Sequence, residues 1–144
     1  MNYQPPSPTI AGGEWAVPVD LFSDVMKAFQ SQDFSLPSKI WLKKVTGESA
    51  LLASGDDPKK VYVQCGAYHN VVGNQNPQVI VDMVKKIDAL MFANGGRPHL
   101  AKLMPTTSEQ MRKLYPALTQ FQKIRRQFDP YNLFYTQRLA DLFG

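Results

Sequence analysis

Prolines and glycines decide how this chain can be divided. Eleven prolines and nine glycines fall within 144 residues. Each proline fixes φ and removes an amide donor, so no long regular element runs through one undisturbed. Pro18, Pro37, Pro58, Pro77, Pro116 and Pro130 therefore break the sequence into short elements joined by turns. A single domain of this size buries roughly two thirds of the surface its unfolded chain exposes. The hydrophobic fraction of 44% and charged fraction of 19% are those of an ordinary globular protein.

Between the breaks, periodicity assigns the elements. Residues 1–13 read as an irregular Pro/Gly arm, and residues 14–144 as one domain. Glu14 to Val17 predicts a short strand stopped by Pro18. Asp20 is placed to cap a helix that sets Leu21, Phe22, Val25, Met26 and Phe29 on one face. Pro37 marks a turn, and Lys39 to Val45 predicts a second strand. A loop over residues 48–59, turning at Gly55-Asp56-Asp57-Pro58, leads to Val61–Tyr68. That segment alternates Val61, Val63, Cys65 and Ala67 with Tyr62, Gln64, Gly66 and Tyr68, which predicts a strand.

After a polar loop, Pro77 opens a helix whose stripe is Ile80, Met83, Val84, Ile87, Leu90 and Met91. Asn94-Gly95-Gly96 stops it. The order predicts an α+β fold, a small and mostly antiparallel sheet with helices packed on one face. A helical tail follows from about residue 103. Thr106 or Thr107 caps a short helix. Pro116 restarts the chain into a stripe of Leu118, Phe121, Ile124 and Phe128, and Asp129-Pro130 ends it. Tyr131–Phe134 turns into a last helical turn over Arg138–Phe143.

Several function classes find no support. Net charge is +4, from 16 Lys and Arg against 12 Asp and Glu, and it is spread along the chain. Lys123, Arg125 and Arg126 read as a solvated helix face, so no nucleic-acid partner is expected. Cys65 is the single cysteine. It reads as a packed thiol at an inward strand position, and it points to a reducing, cytoplasmic setting. The apolar helix around residues 78–92 carries Asp82, Lys85, Lys86 and Asp88, so it is no membrane span. Only peripheral membrane association stays open. Two histidines, His69 and His99, lack metal-ligand spacing, and neither a catalytic triad nor a Gly-rich nucleotide loop is present.

What remains is Gly95-Gly96-Arg97-Pro98-His99-Leu100-Ala101-Lys102. It gathers a guanidinium, an imidazole and an ammonium directly after a helix stop. The residues alone allow either an anion-binding or active-site loop, or a surface loop.

The tail read as a whole resembles one family. The GGRPHLAK segment, Leu114-Tyr115-Pro116, the FQKIRR helix of residues 121–126, FDPYNLF at 128–134 and the closing RLADLFG follow one another in order. They are similar to the C-terminal region of sugar-1,4-lactone oxidases, flavoproteins of the vanillyl-alcohol-oxidase group, whose pattern is GGRPHW(G/A)K, LYP, a basic helix and DPxGLF. Glu14-Trp15-Ala16-Val17-Pro18 resembles that family's E-Y-x-V-P strand. Leu100-Ala101-Lys102 and Thr106-Thr107 are similar to the tail of decaprenylphosphoryl-ribose oxidases.

The resemblance implies FAD as cofactor and oxidation of a sugar, polyol or lactone hydroxyl. It places His99 and Lys102 beside the flavin ring and the substrate, with Lys43, Gln64 and Arg97 as substrate-binding candidates. Two departures stand out. Position 100 is leucine where the lactone oxidases have tryptophan. Trp41-Leu42-Lys43 stands where they carry a Glu-x-Arg pair, with Lys43 able to replace the arginine's charge. No flavin-binding domain is recognisable, so a separate flavin domain or subunit is the expected partner. Without one, the chain is expected to be inactive, as a fragment, a split-enzyme subunit or an interaction module. Self-association through the proline-rich arm and the Leu139–Phe143 turn is a further expectation.

Overall fold

The computed structural model describes residues 10–32, 40–45, 50–53, 60–68 and 77–143. The turn at Pro37, the turn at Gly55–Pro58, His69 and its loop, and the Cys65 side chain lie outside the described residues.

Among the described residues, four antiparallel strands form one sheet in the order β2-β3-β1-β4. They are β1 (Ile10–Pro18), β2 (Trp41–Val45), β3 (Lys60–Tyr68) and the short β4 (Arg97–Pro98). The strand β1 begins at Ile10, so residues 10–13, expected in the irregular arm, are strand instead. Glycine is a poor strand former. Here Gly12 and Gly13 are held in register opposite Gly66 and Cys65, and the cross-strand ladder overrides that propensity. Gly13 also has a packing reason. A Cβ there would collide with the indole ring of Trp15.

Helices α1 (Val19–Gln30) and α2 (Pro77–Ala93) cover one face of the sheet. Pro18, not Asp20, occupies the N-cap of α1 and makes no side-chain cap; Asp20 falls in the first turn, where its charge suits the helix N-terminus. The core on this side joins Trp15, Val17 and Val63 from the sheet to Val25 and Phe29 of α1 and Met83, Val84, Ile87 and Met91 of α2. Each such side chain contributes about 1.5–3 kcal/mol through burial. Gly95, at φ 72°, supplies the left-handed residue that ends α2. Gly96 then lies so close to Met91 that a Cβ would sit 2.9 Å from its carbonyl oxygen.

A second core holds the tail together. Helices α3 (Ser108–Leu114), α4 (Leu118–Phe128) and α5 (Gln137–Phe143) meet around Met104, Met111, Leu114, Tyr115, Leu118, Leu142 and Phe143. Thr107 caps α3 in a full capping box with Gln110. The Leu139–Phe143 turn is thus packed inside this core rather than free for association. The stripe of α4 is buried only at its start, because Phe128 at its far end is 85% exposed. Tyr131, Leu133 and Phe134 are exposed beside it.

The loop that displays them is built, not slack. Asp129 accepts the amide hydrogens of Leu133 at 2.7 Å and Phe134 at 3.0 Å. Asn132 has φ 55°, a left-handed conformation that asparagine tolerates and glycine adopts freely. Its position in DPYNLF is the one where the related pattern has glycine. Arg125 closes the turn by donating to Asn132 Oδ1 at 2.8 Å and stacking over the Tyr135 ring at 3.7 Å.

One buried acid links the two cores. Asp88 of α2 accepts the Trp15 indole N–H at 2.7 Å, and its two oxygens lie 3.1 Å from the Thr106 hydroxyl. Burial raises its pKa above the usual 3.8, against the lowering effect of the Trp15 and Thr106 hydrogen bonds. A raised folded-state value means stability fully present below the unfolded pKa and lost as pH rises through the folded one. Asp88→Asn keeps an acceptor for Trp15 and does not titrate. Its melting temperature relative to wild type should therefore rise as pH increases from about 4 to 7. A wild-type chain that gains on the variant over that range contradicts the assignment.

Candidate active site

The opposite face of the sheet carries the polar chemistry. Strand alternation sends Trp15 and Val17 to the helices and Glu14 and Ala16 to the other side. In register, Glu14 lies beside Gln64 and Gln64 beside Trp41, while Arg97, Ala16, Tyr62 and Lys43 form the next row.

Glu14 is 5% exposed, and a buried carboxylate requires partners. The Lys43 ammonium lies 3.4 Å from it and the Lys102 ammonium 4.0 Å. Lys43 of β2 therefore finds its acid across β3 on β1, not on its own strand, where Trp41 stands. An Asp or Glu two residues before a cation is legible in sequence; this pair is not, because its members are joined only by the sheet.

Lys102 reaches Glu14 because the backbone bulges. The His99 amide donates to the Glu14 carbonyl at 2.8 Å, and the Leu103 amide to the Gly12 carbonyl at 3.1 Å. Between these bonds β1 advances two residues and its partner four, so two residues are extra. A turn closed by Lys102 N–H donating to His99 C=O at 3.0 Å takes up the excess. Bulges of this kind re-aim side chains. A plain strand would put His99 and Lys102 on opposite faces; the turn brings Lys102 back over Glu14.

His99 lies near Tyr62, with ring centroids 6.2 Å apart. Its Nδ1 accepts the Ala101 amide hydrogen at 3.2 Å, which in the neutral ring leaves the proton on Nε2. Gln64 occupies the register position between Glu14 and Trp41. Arg97 is set apart from the other candidates. It donates to the Ala53 carbonyl at 3.3 Å and stacks over Tyr115 at 5.2 Å, so it fastens the loop.

Tyr115, the middle residue of Leu-Tyr-Pro, is the other fastening. Its hydroxyl donates to the Pro98 carbonyl at 3.3 Å, and burial pushes its pKa up to about 12, which keeps the donor protonated. Tyr115→Phe should cost about 1 kcal/mol in denaturant unfolding and speed amide exchange at His99 and Leu103. Exchange unchanged from wild type contradicts a clamping role.

A cleft of about 430 Å³ between α3 and α5 is lined by Met104, Thr107, Arg138 and Asp141 among others, and contains none of the Glu14 group. Among the described residues, no group of three or more His, Cys, Asp or Glu side chains could hold a metal ion. No helix of the described residues is long and apolar enough to cross a membrane.

Known proteins share this sequence over most of its length. The family model for D-arabinono-1,4-lactone oxidase matches residues 11–142. L-gulonolactone oxidases from Scyliorhinus torazame, Mus musculus and Bos taurus are each 38% identical over 56 residues. The matched segment is 39% of this chain and 13% of each relative, so the chain corresponds to only a small part of their length. The family match extends over both cores, the bulge and the clamp, and the chain belongs to the D-arabinono-1,4-lactone oxidase family.

Proposed function

We propose that this chain is the substrate-side portion of an FAD-dependent oxidoreductase that oxidises a hydroxyl of a sugar, polyol or sugar lactone. The observation that carries this reading is the bulge that turns Lys102 back over Glu14, close to His99, within a chain of this family. The relatives' name, L-gulonolactone oxidase, supports a lactone as the substrate class. The acid and cation meeting across strands, in place of a pair on one strand, favour a ligand that differs from the relatives' in its hydroxyl pattern.

The donor set suits one end of a flavin and not the other. Gly95 and Gly96 are committed to stopping α2 and to its contact with Met91, which leaves no glycine cradle for a diphosphate among the described residues. The ammonium of Lys102 and the Nε2–H of His99 suit a ring edge and a substrate hydroxyl. A flavin, if held by a separate flavin-binding domain or subunit, would supply the two-electron acceptance that no side chain provides. Lys102 stabilises negative charge developing at the reacting centre. His99 orients the hydroxyl, and Lys43 and Gln64 are available to the remaining oxygens of the substrate. Arg97 acts by holding the loop.

With the flavin-binding portion supplied, Lys102→Ala should slow substrate-driven flavin reduction by about 10²–10³-fold, the usual effect of losing one charge-stabilising donor. A rate equal to wild type in stopped-flow absorbance removes Lys102 from the site.

A second reading, an interaction module that keeps the fold without catalysis, is favoured by the exposed Phe128, Tyr131, Leu133 and Phe134. Apolar side chains grouped on a braced loop mark a surface that another protein covers. In the first reading that protein is the flavin-binding portion. Left uncovered, the patch should drive self-association, and a Leu133→Ser, Phe134→Ser double variant should sediment as a monomer where wild type does not. A wild-type chain that stays monomeric at high concentration rules out the patch as an adhesive surface.

A further inference from the structure

We propose that Glu14 is a positioning residue, the fixed point that holds the Lys102 and Lys43 ammoniums as a pair above the sheet. The inference deepens the reading of Lys102 as the cation at the reacting centre and rests on it. Glu14 belongs to β1, which is paired on both sides, with Gln64 opposite on one flank and the His99 amide bonded to its carbonyl on the other. Its side chain is 6% exposed, whereas those of Lys43 and Lys102 are 50% and 40% exposed. The acid is therefore the immobile partner and the lysines are the held ones.

Long lysine side chains lose much rotamer freedom when fixed. Two of them converging from an edge strand and a bulge need a common anchor, and Glu14 is the carboxylate both approach. One carboxylate against two ammoniums leaves a positive excess directed outward. That excess is what a hydroxyl becoming more negative requires. Glu14 itself is too enclosed to meet a ligand directly, so its influence passes through the lysines.

The test uses the full chain and NMR relaxation of lysine Cε and Nζ. In wild type, Lys43 and Lys102 should be clearly more ordered than Lys86, which serves as the exposed reference. Glu14→Gln should lower both to the level of Lys86 while amide shifts in α1 and α2 stay in place. Lysines as mobile as Lys86 in wild type overturn the proposal, and this comparison needs no variant to fold. Lysines unchanged in Glu14→Gln overturn it as well. A second arm, with the flavin-binding portion supplied, measures kcat for Glu14→Gln, Lys102→Ala and the double variant. Positioning predicts that Glu14→Gln costs clearly less on the Lys102→Ala background than in wild type, the remainder passing through Lys43, while independent multiplied losses contradict it. Ordered lysines in a protein that oxidises no sugar, polyol or lactone would sustain the anchor and sink the oxidase reading, so the two failures are distinguishable.

Discussion

The hydrogen bond from Trp15 to Asp88 is the interaction on which the rest of this structure depends. It fixes the height and rotation of the central strand against α2, and Thr106 extends the same carboxylate's reach to the start of the second core. Strand geometry does the remainder. Once the Trp15 indole is locked to the helical side, the adjacent Glu14 must face the other way. The cation pair gathers wherever Glu14 is placed. A contact in the core thus determines where an exposed ammonium stands, about one strand thickness away.

The sequence motifs of the tail divide by physical role. Leu114-Tyr115-Pro116 and Asp129–Phe134 are structural. Tyr115 pins the loop at Pro98, and Asp129 with Asn132 shapes a turn that only a residue tolerant of positive φ can complete. Gly95-Gly96-Arg97-Pro98 is structural too, for it ends α2, feeds β4 and ties down the loop. The chemistry we propose falls to the four residues from His99 to Lys102, where the chain leaves regular pairing. Shape and chemistry fall to different residues of these motifs, and the majority serve shape.

The elements were legible where local signals were strong. The alternation of Val61–Tyr68, the Pro77 start and Gly95 stop of α2, and the Thr107 cap all lie where local periodicity and capping place them. The start of β1 was not legible, because Gly12 and Gly13 look like loop and are held extended by a partner strand some fifty residues away. Half of the α4 stripe misled, since periodicity says which residues share a face and not whether anything covers it. Of the side chains in the candidate site, His99, Lys102 and Lys43 are the ones that residue type and family resemblance single out. Glu14 does not, although it lies in plain view in Glu-Trp-Ala-Val-Pro. Its neighbours there are apolar, and its partners are supplied by register and by a bulge that spacing cannot reveal.

We propose that ligand chemistry belongs to the Glu14 face of the sheet and not to the α3–α5 cleft or the helical side. Titration of a sugar 1,4-lactone into isotope-labelled chain, followed by amide chemical shifts, tests it directly. Shifts are predicted at Glu14–Ala16, Gln64 and Arg97–Lys102, with α1, α2 and Arg138–Leu142 unmoved. Shifts confined to Met104–Ser108 and Arg138–Leu142, or none near Lys102 at saturating lactone, would contradict the account.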